Sequence, residues 1–200
     1  VIGKERLPML IIAQDPINII NRNSLSAKYA AIFGFSIFGK NHVYLLNEKD
    51  EINYLKLNNF LNKYSKKKFL VFGFTSNIYE YLLKKLSLNK IKKNFKQAIL
   101  IHGGGWKKML DKKITNIKFR NRALIKLKIS IIYNYYGLVE QTGSIFLECP
   151  KCNCFVTTPY SDIIIRDKFF HSINYGRGII QLISVLPTSY PGHSILTQDE

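Results

Sequence analysis

The sequence predicts an α/β fold, a parallel sheet flanked by helices and followed by a β-rich layer. Three observations carry this. Between residues 69 and 137, apolar runs of strand length alternate with stretches of helical spacing, the pattern of a parallel sheet joined by right-handed crossovers. After Gly143 the alternation gives way to a succession of short strands. The 200 residues, 46% hydrophobic and 22% charged, have the size and composition of one folded domain rather than of a disordered or collagen-like chain. The expected division is an α/β portion at 1–142 and a β-rich portion at 143–200.

The elements follow in order. LPMLIIA (7–13) reads as a buried strand ended by Asp15-Pro16. Residues 24–33 read as a helix and HVYLL (42–46) as a short strand. Residues 50–65 place Ile52, Leu55, Phe60, Leu61 and Tyr64 close to helical spacing, with acids at the start and lysines after the end, as the helix dipole favours. FLVFGF (69–74) is a strand. Thr75 or Ser76 is placed to cap a helix running to Leu86, with Ile78, Tyr81, Leu82 and Leu86 on one face. QAILIH (97–102) is a strand that runs into glycines, a helical stretch fills much of 106–128, and ISIIYNYYG (129–137) is the next strand. SIFLE (144–148), SDIIIRD (161–167) and GIIQLISVL (178–186) supply the later strands. There is no internal repeat and no linker.

Charge is distributed unevenly. The chain has 30 Lys+Arg against 13 Asp+Glu, net +17, yet residues 131–200 are net −2, which leaves +19 on the first 130. Three readings stand: a Lys, Asn and Ile bias of the coding sequence, a general anion-attracting surface, and nucleic-acid binding. No RNA- or DNA-binding signature accompanies the lysines, so no specific nucleic-acid partner is expected. The longest apolar run, AAIFGFSIFG (30–39), falls short of a membrane span, and there is no signal peptide. Three cysteines crowded into 149–154 make no disulfide framework, so a reducing cytoplasm is expected. Val1 and Glu200 are expected to be cuts through a longer protein.

Four constellations carry chemistry. In ILIHGGGWKK (99–108), three glycines follow a buried strand. They let backbone approach a flat or charged ligand, or they serve a tight turn that needs positive φ. In YNYYGLVEQTG (133–143), Tyr136 and Gly137 end a strand and Glu140 follows three residues later. That sets an aromatic face and a carboxylate at the edge where open α/β sheets bind ligands. Glu140 suits Mg²⁺, or is a solvated loop glutamate. In ECPKCNCF (148–155), Cys149, Cys152 and Cys154 supply three thiolates where zinc normally takes four ligands; His171, His193 or a partner would provide the fourth. Free thiols and a reactive thiol are the other readings. In LPTSYPGHSILTQDE (186–200), Asp199 follows a short apolar run after an irregular loop. It either accepts two hydrogen bonds from a ribose diol or is a solvent-exposed terminal residue.

In this order, HGGGWKK (102–108), YGLVEQTGSIFLEC (136–149), YSDIIIRD (160–167) and the run from Gly176 to Glu200 resemble the acyl-protein synthetase (LuxE) family. That family lies within the adenylate-forming superfamily of acyl-CoA synthetases and phenylacetate–CoA ligases. RNSLSAKYAAIFGFSIFG (22–39) and FGFTSNIYEYLL (72–83) resemble its earlier parts, so the likeness covers nearly the whole chain. It implies part of the large N-terminal domain of adenylate-forming enzymes. By position, Gly103, Gly104 and Gly105 match the loop against adenine. Tyr136, Gly137 and Glu140 match the Tyr-Gly-x-x-Glu motif, whose tyrosine stacks near adenine and whose glutamate coordinates Mg²⁺. Asp199 matches the ribose-binding aspartate. Val139 stands where the superfamily usually has Thr, and no histidine follows Cys149 at the family's usual place.

The resemblance implies ATP-dependent activation of a fatty acid as acyl-AMP and its transfer to a protein thiol. The partner would be an acyl-accepting reductase, as in bioluminescence aldehyde synthesis, or a carrier protein. The superfamily's upstream Ser/Thr/Gly-rich phosphate loop and its C-terminal subdomain are absent from these 200 residues, so the chain alone is expected to be inactive. The rivals are an acyl- or aryl-CoA ligase-like enzyme and a catalytically incomplete basic binding module that keeps the fold.

Overall fold

Buried on both faces, the apolar runs of the first half become neighbouring parallel strands, the environment in which near-continuous hydrophobic sequence is expected. The computed structural model describes residues 5–17, 27–105, 114–141 and 143–200, and only the backbone of 27 and 28. It separates into two units, residues 1–134 and 135–200.

In the first unit, β1 (Leu7–Gln14) pairs in parallel with β2 (Gly39–Leu46) and β3 (Phe69–Phe74), and β3 pairs in parallel with β4 (Ala98–Gly103). Val71 sits between Leu10 and Leu100 in register. Within this unit the strand order is β2-β1-β3-β4, and β5 (Ile131–Tyr136) crosses the unit boundary.

The helices of this unit are α1 (Ala27–Ser36), α2 (Tyr54–Tyr64), α3 (Thr75–Asn77), which runs on into a π-helical stretch Ile78–Lys85, and α4 (Asn116–Leu127). Asn53 caps α2 by accepting the Lys56 N–H at 3.0 Å. Thr115 caps α4, which ends on Lys128 in the left-handed region. Leu57, Phe60 and Leu61 of α2, Leu82 beyond α3, and Phe119 and Leu127 of α4 pack with Leu10, Phe69, Val71 and Leu100 in one core.

Two local expectations are corrected. Leu55 does not face the core: it is 73% exposed, and Leu57, Phe60 and Leu61 form the buried stripe instead. Neither Thr75 nor Ser76 caps a helix. Phe74 is the cap residue and no side chain bonds there, because the buried Thr75 hydroxyl is used in a tertiary contact. Of the helical stretch expected over 106–128, residues 106–113 lie outside the described residues, as do 24–26 of the first helix.

The second unit is antiparallel. Tyr135 and Tyr136 pair with Leu147 and Phe146 of β6 (Phe146–Glu148), and β6 pairs with β7 (Phe155–Val156). A separate sheet has four strands. It consists of β8 (Ser161–Arg166), β9 (Ser172–Ile173), β10 (Ile179–Ser184) and β11 (Ser194–Leu196). The expected mixed α/β class with a following β-rich part is the observed one. No helix among the described residues is long and apolar enough to cross a membrane.

Candidate functional site

β4 delivers the glycine loop of the first unit. Its penultimate residue, His102, is buried, with Nδ1 2.9 Å from the Thr75 hydroxyl. That hydroxyl donates to Gly103 O at 3.2 Å. With the hydroxyl hydrogen so used, His102 Nδ1–H is the donor to Thr75. Nε2 is then left as a buried acceptor without a partner among the described residues. Burial first, and the Arg120 charge second, push the imidazole down to about 3, so it is neutral. The latch fixes the strand end from which the loop departs.

The three glycines differ. Gly103 is the last residue of β4. Gly104 has φ +73, and a Cβ there would press on Phe74 Cδ1 at 2.8 Å, so fold alone demands glycine. Among the described residues nothing lies within 4 Å of a Cβ placed at Gly105, so it has no such reason. Trp106, Lys107 and Lys108 lie outside the described residues.

The second unit holds Tyr136, Gly137, Glu140 and Asp199. Thr197 Oγ1 donates to Ile180 O at 2.8 Å and accepts the Asp199 N–H at 3.1 Å, while Ile180 N–H donates to Asp199 O at 3.0 Å. Residues 197–199 are thereby strapped to β10. This places the Asp199 carboxylate where the Tyr136 hydroxyl donates to Oδ2 at 2.6 Å. The Tyr136 ring lies 6.3 Å from Phe146 and 6.1 Å from Phe155. Burial first, then the Asp199 hydrogen bond and charge, raise the Tyr136 phenol above 10.0; the Glu140 charge adds to this and a bond from Thr197 opposes it. Tyr136, Glu140 and Asp199 thus share one locality.

Gly137 is required by close approach, since a Cβ would meet Ser144 O at 2.9 Å. Beyond it the loop folds on itself through Gln141 N–H to Leu138 O at 3.2 Å and Ser144 N–H to Gln141 O at 3.3 Å. Glu140 is exposed, whereas Gln141 is fully buried. Its Nε2 donates to Gly192 O at 2.9 Å and to Leu182 O at 3.3 Å, and its Oε1 has no partner among the described residues. Ser144 Oγ donates to Ser184 Oγ at 2.7 Å. Sequence reasoning passed over Gln141. The one signal present was its place next to Glu140, where a polar residue alternates inward.

The zinc reading finds no support among the described residues. Cys149 is half-buried, Cys152 and Cys154 are exposed, and all three are free. Among the described residues no group of three or more His, Cys, Asp or Glu side chains is placed to hold a metal ion.

Compared with known proteins, a family model described as acyl-protein synthetase, LuxE, matches residues 1–200. No curated protein matches the chain. Among solved structures, it is similar to the inhibitor-bound N-terminal domain of FACL13 from Mycobacterium tuberculosis. That match has TM-score 0.61 and 10% identity, and covers 98% of this chain and 47% of that one. It is also similar to the Klebsiella oxytoca NpsA N-terminal subdomain in complex with 3-hydroxyanthranilyl-AMSN, with TM-score 0.51, 12% identity, and coverage of 96% and 44%. At these identities the likeness is one of fold, and the chain spans under half the length of either structure.

Proposed function

The chain belongs to the acyl-protein synthetase (LuxE) family, and on that premise we propose that it is the central and later part of the adenylation domain of an ATP-dependent fatty-acid–protein ligase. A fatty acid carboxylate attacks the α-phosphorus of ATP, and pyrophosphate leaves. A protein thiol then attacks the acyl carbonyl, and AMP leaves. The acceptor is an acyl-accepting reductase or a carrier protein, and the site of action is the cytoplasm.

The observation that carries this reading is the Tyr136–Asp199 bond with Glu140 in electrostatic reach of the same phenol. These are the residues that the family resemblance matches to the adenine, ribose and metal contacts. In this reading Gly105 gives the adenine plane a surface without a side chain. Tyr136 offers its ring, and Asp199 turns its second oxygen to the ribose diol. Glu140 is an exposed hard carboxylate, the donor type Mg²⁺ takes. When bound, Mg²⁺ neutralises phosphate charge and orients the leaving pyrophosphate. Gln141 and Gly137 hold the backbone that carries Glu140.

The test is acid-dependent ATP–pyrophosphate exchange. A longer protein that joins residues 1–200 to the phosphate loop and C-terminal subdomain should exchange, and Glu140→Ala should lower its rate by roughly 100-fold or more. Residues 1–200 alone should show weak exchange or none. Robust exchange by the isolated chain would overturn the partial-domain reading, and unchanged exchange in Glu140→Ala would remove Glu140 from the metal role.

A further inference from the structure

The cysteines between β6 and β7 take no part in the reaction just described. Their connection, residues 149–154, is closed by Cys149 N–H to Cys154 O at 2.7 Å and by Asn153 N–H to Cys149 O at 2.8 Å. Asn153 adopts φ 56, in the left-handed region. The second bond closes a turn over Pro150, Lys151 and Cys152 and folds Cys152 back toward Cys149. Residues three apart in such a turn stand at about the 4.4–6.8 Å Cα separation that disulfides span. The Cys154 thiol donates to Cys152 O at 3.5 Å.

The two thiols of this turn have unequal chemistry. The N–H of Cys152 first, then that of Lys151, stabilises the Cys149 thiolate and lowers its pKa. A backbone N–H from Cys154 pulls the Cys152 thiol down, but its thiol neighbours, desolvation and the Cys149 charge together raise it. One thiol is thus primed to attack and the other remains protonated until needed. Both are reached by solvent.

We propose that Cys149 and Cys152 form a reversible intramolecular disulfide by exchange with a low-molecular-weight disulfide. The Cys149 thiolate attacks one reagent sulfur, the reagent S–S bond breaks, and one reagent thiolate leaves. Cys152 gives its proton to water and attacks the Cys149 sulfur of the mixed disulfide. The second reagent thiolate leaves, and the Cys149–Cys152 bond remains. Two protein thiols are oxidised, and one reagent disulfide is reduced to two thiols. Cys154 is left free.

The experiment equilibrates residues 1–200 in glutathione buffers of graded oxidised-to-reduced ratio, quenches with acid, alkylates, and reads mass and peptide map. The expected result is a cooperative loss of two of the three thiols, a mass deficit of two hydrogens, and a linked peptide joining Cys149 to Cys152. Cys154→Ser should keep all of this. Cys149→Ser and Cys152→Ser should instead accumulate single glutathione adducts. Persistent single adducts on the wild-type chain, or a bond mapped to Cys154, would overturn the proposal. So would stoichiometric zinc that shields all three thiols of the reduced chain from a maleimide, which would assign the cluster to metal.

Discussion

The Tyr136 hydroxyl donates a 2.6 Å hydrogen bond to Asp199 Oδ2 across 63 residues of chain. It ties the end of β5 to the strap that follows β11. Burial, the bond itself and the Asp199 charge all favour the neutral phenol, so its pKa stands above 10.0. A raised pKa contributes stability that is fully present below the unfolded value and is lost as pH rises through the folded one. In alkaline difference spectra of wild type minus Tyr136→Phe, the missing phenol should therefore titrate above the ordinary tyrosines. In an Asp199→Asn background it should titrate lower, with burial and the Glu140 charge still holding it up. A Tyr136 titration unmoved by Asp199→Asn would refute the pairing.

His102 gives an acid-side counterpart. Its folded pKa is pushed down to about 3 from 6.5. The stability tied to its neutral form is present above pH 6.5 and is lost as pH falls toward the folded value. Between pH 7 and pH 5 the wild type should lose about 2 kcal/mol that His102→Asn does not lose. Urea unfolding of both proteins at the two pH values measures this. Parallel losses would mean that His102 is protonated in the fold. Thr75→Val should separately cost about 1–3 kcal/mol, because it strips Gly103 O and His102 Nδ1 of their buried partner.

The glycine loop separates fold from ligand. Gly104→Ala should destabilise by about 1–3 kcal/mol, since it combines positive φ with the Phe74 contact. Gly105→Ala meets nothing within 4 Å among the described residues and should leave the unfolding temperature unchanged. If the adenine plane lies against Gly105, that same variant should weaken AMP binding by about tenfold, which calorimetry reads directly. Equal AMP affinity in Gly105→Ala would place adenine elsewhere.

How much of this was legible depended on the range over which each residue is decided. Local apolar density gives β3 its observed bounds at 69–74 and brings β1 and β4 within a residue or two. Thr75 was misread because its hydroxyl is consumed by Gly103 and His102, 28 and 27 residues away, whereas capping logic sees only the next turn. Leu55 and Leu57 are both compatible with a helical stripe, and only the position of the sheet decides between them. The Tyr136–Asp199 pair was accessible through resemblance alone. Gln141 was hinted at only by its place next to Glu140, because its acceptors lie 41 and 51 residues further on.

Gln141 carries its own expectation. Gln141→Leu keeps the volume but leaves Leu182 O and Gly192 O without their donor, at about 1–3 kcal/mol for each buried carbonyl. Gly192 also packs close to Glu140 O, where a Cβ would stand 3.1 Å away. The loss should therefore loosen the loop that presents Glu140. Thermal unfolding should fall by several degrees. A variant as stable as wild type would show that water replaces the amide.

Asp199 is tested by removing one hydroxyl from the ligand rather than only the carboxylate from the protein. Oδ2 is occupied by Tyr136, so Oδ1 and the remaining lone pairs are the acceptors left for a ribose. If they take the diol, deleting the 2′-hydroxyl of AMP should cost the wild type about 1–3 kcal/mol, since a charged acceptor loses its donor. Asp199→Ala should bind AMP more weakly by a similar amount and should no longer distinguish AMP from 2′-deoxy-AMP. The two losses belong to one contact, so they must not add. Calorimetry with both nucleotides against both proteins closes the cycle. Additive losses would place the 2′-hydroxyl on a different residue and return Asp199 to a purely structural role beside Tyr136.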